Sequence, residues 1–512
     1  MNSRILFILI LTCTSIFAQE SKIWKQFIKA KQNKSEPILP DFSYAGYKYS
    51  ETEIPTLHYK MFDVTHFGAI PNDSISDKNA IVKAIEAAEE NGAGIIYFPK
   101  GKYFINTAKD ELTSIFINSS KIIFRGESSE NNLSTLFFEK DLPPTDPKKL
   151  WSCPHAITTK TTTKDTFISK VSKNAQRETF SIEIKDIKNL KVGDWIVLKM
   201  TDNDPKLIKQ DLAGLEADPR WTNILNKGVQ VIERHQIKKI KNNIITFYEP
   251  IHYSIDSKYN WEIYRYYPLH HIGFENLNFQ GNWTKEFVHH RSAQDDGGWS
   301  ILKLSSVVNS WVKNCNFINI SNAIDFSKSA ASTAINITIS GKKGHSSVHA
   351  NAGSTGILLA KINDLAGMHH TTGVAGTATT GTVIWKCKHA DNTCFEMHAS
   401  QPRCTLFDNV EGGFFAGRAG GAIQNLPNHG KYLVLWNYKE TDSKEENFKF
   451  VATKSWYWRV VPPIIVGFHG SGTTFFKAQT QYTESIGTPV KPTSLFTEQL
   501  KFRLGFIPNW IP

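Results

Sequence analysis

One degenerate repeat limits what this chain can fold into. Short strand-like segments begin at Ile272, Trp311, Ala334, Gly356, Thr382, Cys404 and Tyr432, at separations of 39, 23, 22, 26, 22 and 28 residues. Each alternates apolar and polar residues, as a strand with one buried face requires. A period in the low-to-mid twenties fits one turn of a three-sheet parallel coil, with the longer gaps holding loops. A β-sandwich would need regular hairpin turns between such segments, and few are present. The expected fold is all-β: a right-handed parallel β-helix. Asn276, Asn314 and Asn336 recur at one phase of the repeat, so an internal amide ladder is expected there.

The stretch from Phe62 to Ile105 accounts for the start of the coil. It reads as an entry strand, a turn at Gly68 and Ala69, a helix from Asp77 to Asn91 and a buried strand from Gly94 to Pro99. Asp77 is a good N-cap, and Ala80, Ile81, Ala84, Ile85 and Ala88 form one apolar face. This order resembles the N-terminal cap and first coil of the pectate-lyase-like right-handed parallel β-helix superfamily. The resemblance covers about a tenth of the chain. It implies an enzyme acting on polysaccharide and leaves the substrate open.

The remaining chain divides by composition. Residues 1–18 read as a secretory signal, with Arg4 ahead of an apolar run too short for a comfortable membrane span, so the protein is expected to be secreted or periplasmic. Residues 19–60 read as an extended arm, 61–141 as the cap and first coils, and 142–262 as an inserted β-rich module opened by Pro143, Pro144 and Pro147. The main coils are expected over 263–440 and a C-terminal cover over 441–512. The insert carries Arg220, Trp221 and His235 and is expected to wall a cleft. With Cys13 lost in the signal, five cysteines remain, which is no disulfide framework.

The net charge is +11 and aromatic residues make up 12%. In an exported chain, this suits an acidic polysaccharide held by charge and by stacking. No compact basic motif points to nucleic acid. No second apolar span is present, and the oligomeric state is not readable.

Histidines concentrate between residues 289 and 429: His289, His290, His345, His349, His369, His370, His389, His398 and His429. The register of the repeat places His349 and His398 at one phase, two coils apart, with His369 and His370 on the coil between. A row of imidazoles lining a groove is therefore expected. The sharpest local segment runs from Met397 to Ala422, with His398, Gln401, Arg403 and Arg418 among five glycines. It resembles an uncharacterised domain common in exported pectate-lyase-like proteins.

A polysaccharide lyase must neutralise a uronate carboxylate, remove the C5 proton and protonate the leaving oxygen. Arg403 and Arg418 suit the first task, because guanidinium pairs with carboxylate as a fork. His398 or His370 suits the base. His349, His369, Gln401, Asn425, His429, Arg291, Asp295 and Asp296 are expected to bind substrate. Replacing His398 or Arg403 by alanine is expected to abolish turnover and leave the fold intact. A glycoside hydrolase on the same scaffold would instead need two carboxylic acids, with Asp295, Asp296, Asp364, Asp391 and Glu396 available. A non-catalytic glycan-binding β-helix is the third reading. No cofactor is expected. Calcium is possible, but no compact acidic cluster indicates it, and a transition metal lacks a short motif such as HExxH.

Overall fold

The computed structural model describes residues 19–129, 132–394, 396–415, 420–451 and 459–511. Parallel strands stack coil upon coil along its length. The longest sheet runs in order through Met61–Asp63, Gly94–Phe98, Ile122–Gly126, Gly273–Glu275, Trp311–Ile318, Thr333–Ser340, Leu358–Asp364, Thr380–Trp385, Arg403–Asp408, Leu433–Trp436, Ile464–Val466 and Tyr482–Glu484. A second parallel sheet runs through Ile115–Ile117, Ile157–Thr159, Ser300–Ser305, Asn322–Ser327, Ser346–Asn351, Gly373–Ala375 and Glu396–His398. Successive strands lie about 4.8 Å apart, so side chains at one phase form rows along the axis.

The core follows from the alternation. Phe124, Phe274, Phe279, Phe317, Ile337, Ile362, Ile384, Phe407 and Leu435 point inward and are at most 2% exposed. Phe124 and Phe274 lie tilted with ring centres 5.0 Å apart, and Phe279 stacks on Phe317 at 5.0 Å. Each fully buried side chain of this size is worth roughly 1.5–3 kcal/mol. Cys153, Cys315, Cys387, Cys394 and Cys404 are buried free thiols.

The asparagine ladder forms, but outside. Asn314 Nδ2 donates to Asn276 Oδ1 (3.2 Å) and Asn336 Nδ2 to Asn314 Oδ1 (3.0 Å), in an exposed row whose backbones have φ near +55°. Asparagine tolerates that left-handed bend better than most residues. The interior ladder is built of serine. The amide of Ile272 donates to Ser310 Oγ, that of Ser310 to Ser332 Oγ, and that of Ser329 to Ser354 Oγ. These serines are 0% exposed, and a short hydroxyl reaches a corner amide that no strand partner satisfies.

The capping helix spans Lys78–Glu90 and buries Ala80, Ile81, Ala84, Ile85 and Ala88. Asp77 stands at its N-cap position, but its carboxylate accepts from the amides of Ile70 (2.9 Å) and Phe104 (2.8 Å) rather than capping the helix. Several segment bounds also differ from the sequence reading. The arm contains a helix, Lys22–Gln32, whose start is tied to Glu484 near the far end of the chain. Ile157–Thr159 still belongs to the β-helix. The antiparallel insert runs from Thr166–Lys170 to Trp261–Tyr266. Coil strands continue to Tyr482–Glu484, past the expected start of the cover.

The insert has its own core, including Ile196, Leu198, Met200, Trp221, Val231 and Ile263, and this core is continuous with Ala399, Leu426 and Val461 of the β-helix. The module is therefore packed onto the coils rather than held off them. Among the described residues, no helix is long and apolar enough to cross a membrane.

Candidate functional site

Two features of the fold gather the histidines. The first is the outer face of the second sheet. On Glu396–His398, Met397 points into the core, so Glu396 and His398 both point outward. His349 pairs with Gly373 and Gly373 with Glu396, whereas His398 pairs with Ala375. His349 is thus in register with Glu396, two residues out of phase with His398. The expected His349–His398 row fails for that reason. The row that forms uses the corner ahead of the strands: the amide of His370 donates to the carbonyl of His345 (2.7 Å), stacking these two on consecutive coils.

The second feature is the loop between Leu277–Gly281 and Ser300–Ser305, which brings His289 and His290 over this corner. Six imidazoles result. Ring centroids are 4.1 Å apart for His289–His369, 4.7 Å for His369–His370, 4.8 Å for His345–His370 and 4.8 Å for His370–His398. His290 lies 3.6 Å from His289.

Carboxylates orient the ends of this cluster. Glu396, 0% exposed, accepts from His370 Nδ1 at one oxygen and His398 Nδ1 at the other, both at 3.0 Å. Burial works against its charge, but the two histidines outweigh burial and hold the carboxyl well below its usual range. Since an ionised carboxylate only accepts, both rings carry hydrogen on Nδ1 and turn Nε2 away from Glu396. Asp296 holds His290 in the same way, at 2.6 Å. Burial and neighbouring imidazoles push the pKa of His289 down to about 4 and that of His369 to about 3; His345 is also lowered well below its ordinary value. His289 Nε2, His345 Nε2 and His370 Nε2 are buried without a hydrogen-bond partner. One ligand atom from each of His289, His369 and His370 lies within 4.8 Å of the others, and the same holds for His370, Glu396 and His398.

A pocket of about 620 Å³ opens against this cluster. Lys285, Glu286, Phe287, His289, Lys342, Lys343, His369 and Asn392 line it. None of these residues comes from the insert, so the expected insert wall does not border this pocket.

The other residues singled out in the sequence lie elsewhere or do other work. Arg403 is 2% exposed, donates to Asp211 Oδ1 (3.0 Å) and the Gln230 carbonyl (3.0 Å), and lies over the Tyr253 ring. Its charge is already paired with the insert. Gln401 bridges the Gln230 amide and the Gly228 carbonyl, and Asn425 contacts Asn223, so both also anchor the insert. His429 is buried between Thr405 and the Gly430 carbonyl. His349 donates from Nε2 to the Thr371 carbonyl at 2.7 Å. Arg291 pairs with Asp295, which also accepts from Val288 and Ser292, so Asp295 and Asp296 build the loop. Arg418 lies outside the described residues. Gly420 packs so tightly on the site that a Cβ there would fall 2.0 Å from His398 Nδ1.

His289, His290 and His345 were named only among the concentrated histidines, and Glu396 only as an acid of the hydrolase reading. A signal for one of them was present: His345 precedes His370 by 25 residues, one coil. Nothing in the sequence places the His289–His290 loop on that row, because a loop has no register.

Residues 61–193 match the family model "Rhamnogalacturonase A/epimerase, pectate lyase-like", and residues 367–512 match a domain of unknown function, DUF4955. No curated protein matches the chain in sequence. Similar solved structures include the tailspike protein gp49 from Pseudomonas phage LKA1, at 12% identity over 81% of this chain and 72% of that one, with a TM-score of 0.46. The Streptococcus pneumoniae surface protein and adhesin PfbA aligns at 10% identity over 83% and 89%, with a TM-score of 0.42. The Azotobacter vinelandii mannuronan C-5 epimerase AlgE4 A-module aligns at 10% over 84% and 97%, with a TM-score of 0.35. The stacked parallel strands and the match over 61–193 make this chain a right-handed parallel β-helix with a pectate lyase-like N-terminal part.

Proposed function

We propose that this chain is an exported lyase that cleaves an acidic, uronate-containing polysaccharide by β-elimination at the histidine-lined pocket. The observation that carries the reading is the pairing of three lysines, Lys285, Lys342 and Lys343, with the imidazoles of His289 and His369 around one pocket. Its volume of about 620 Å³ suits a few sugar units. Ammonium groups on the rim hold carboxylate or sulfate. The partly exposed Phe287 ring, 5.5 Å from His369, offers a face for a sugar ring.

His398 is the base in this reading; it stands behind the pocket's lining, 4.8 Å from His370, which is itself 4.7 Å from His369 on the lining. The Nδ1 of His398 is fixed by Glu396 and its Nε2 faces away from that carboxylate, the arrangement that readies an imidazole to take a proton. The carboxylate-neutralising role assigned to Arg403 passes to the lysines, because Arg403 is engaged by Asp211. A retaining or inverting hydrolase needs two carboxylic acids across the scissile bond. Glu286 alone supplies a carboxyl group to the pocket's described lining. Asp295 and Asp296 are bound into the loop, and Asp364 accepts from the Gly367 and Met368 amides. The signal read over residues 1–18 supports export.

The test is ultraviolet absorbance of the unsaturated uronate end during incubation with a panel of uronate polysaccharides. A rise is expected. New reducing ends without that absorbance would replace elimination by hydrolysis, and silence in both would leave a binding protein.

A further inference from the structure

We propose that His289, His369 and His370, with His345 beside them, bind one divalent transition-metal ion of the zinc class. The argument begins with the other histidines of the same coils. His349 donates to the Thr371 carbonyl, His389 to the Gly413 carbonyl, and His429 is engaged at both nitrogens. These are corner residues with their polar atoms satisfied. At the cluster the reverse holds: His289, His345 and His370 each bury an Nε2 with no partner. A buried polar atom left unpaired costs about 1–3 kcal/mol, so three in one place need a cause. They cannot satisfy one another as three bare lone pairs, three protonated rings would repel, and a mixed set of neutral tautomers pairs two and leaves the third. One cation held by His289, His369 and His370 satisfies two of them directly and gives His345 beside it a reason to stay neutral.

The geometry is close to what such an ion needs. Ligand atoms of His289, His369 and His370 lie within 4.8 Å of one another, and imidazole nitrogens at about 2.0–2.1 Å from a tetrahedral ion sit roughly 3.4 Å apart. Small side-chain rotations close that difference. Glu396 on His370 Nδ1 supplies the carboxylate that commonly orients a ligating histidine and raises its basicity. An all-imidazole set favours zinc-like ions over calcium or magnesium, which take oxygen. The site also has an open side, since His289 and His369 line the lysine pocket. A ligand's carboxylate reaching that side would meet a Lewis acid as well as ammonium groups. That last use rests on the elimination reading; the metal site itself does not.

The experiment uses untagged full-length mature protein. Metal content is measured by mass spectrometry after dialysis, and the chelator-stripped protein is titrated with Zn²⁺ and with Co²⁺, whose visible spectrum reports tetrahedral nitrogen ligation. The expected result is one ion per chain, lost in the His289→Ala/His370→Ala double variant and kept in His469→Ala. Glu396→Gln is expected to weaken binding by about 10–100-fold. Circular dichroism confirms that each variant is folded. Wild-type protein that retains no ion, with equal Zn²⁺ and Co²⁺ binding in wild type and double variant, would overturn the inference. So would unsaturated products formed at full rate by a chain that takes up no ion, an outcome that leaves the elimination reading standing. One ion held with no elimination on any uronate polymer would do the opposite.

Discussion

Two polar regions of this β-helix use the same residue types to opposite ends. At the insert, Arg403 faces Asp211, Gln401 spans two backbone groups, and His235 lies between Glu233 (2.9 Å) and Glu249 (3.4 Å). Acid meets base there, even though Glu233 Oε1, His235 Nδ1 and Arg403 Nε make no hydrogen bond, and the product is a docked module. At the loop-covered corner, His289, His345, His369 and His370 crowd together between two buried acids, Glu396 and Asp296, and three ring nitrogens go unpaired. Complementary burial marks a joint. Burial of like groups marks a site that awaits a ligand. An arginine in a glycine-rich segment reads as functional in sequence, yet only the partner across space decides which kind of region holds it.

The comparison breaks most visibly at Arg403. Arg403→Ala leaves Asp211 buried without its partner, which costs about 3–5 kcal/mol, measured by urea denaturation. His345→Ala in metal-free protein removes an unpaired nitrogen and takes no partner from a buried acid, so it is expected to cost less than half of that. Equal losses would erase the distinction. This replaces the expectation that Arg403 can be removed with the fold intact.

Gly420→Ala sharpens the contrast from the other side. The added methyl collides with His398 Nδ1, so about 1–3 kcal/mol of overpacking is expected, together with loss of turnover out of proportion to it. Unchanged turnover would mean that His398 is free to move or is not needed.

A third difference lies in pH. Burial lowers the pKa of His235, but Glu233 and Glu249 outweigh it and carry it up to about 9, from an ordinary 6.5. A folded-state pKa above the unfolded one stabilises the protonated form. This contribution is full below about pH 6.5 and lost as pH rises through about 9. Melting temperature should fall across that window, and His235→Gln should flatten the fall. The smallest effect belongs to the outer ladder: Asn314→Ala should cost about 0.5–1.5 kcal/mol, since its amide bonds are exposed to water.

The coil was readable because a strand's alternation and a coil's length are local properties of sequence. The helix Lys78–Glu90 and the run of parallel strands followed from them. Phase across coils was harder. Counting to the next strand does not fix it, since the turns between strands vary in length: His349 falls opposite Glu396, and His345 meets His370 instead. The insert's docking and the His289–His290 loop were not readable, because each depends on a contact between segments with no shared repeat. Gln401, Asn425 and His429 were drawn to the site by proximity in sequence to His398, while their side chains turn to the insert or the corner.

The most direct test of where the chemistry lies compares wild type with His398→Ala on a uronate polysaccharide, followed by ultraviolet absorbance of the unsaturated end. The account predicts steady accumulation for wild type and a loss of about 10²–10⁴-fold for the variant with its fold unchanged. Full activity in folded His398→Ala would contradict it and place the reaction away from the histidine row.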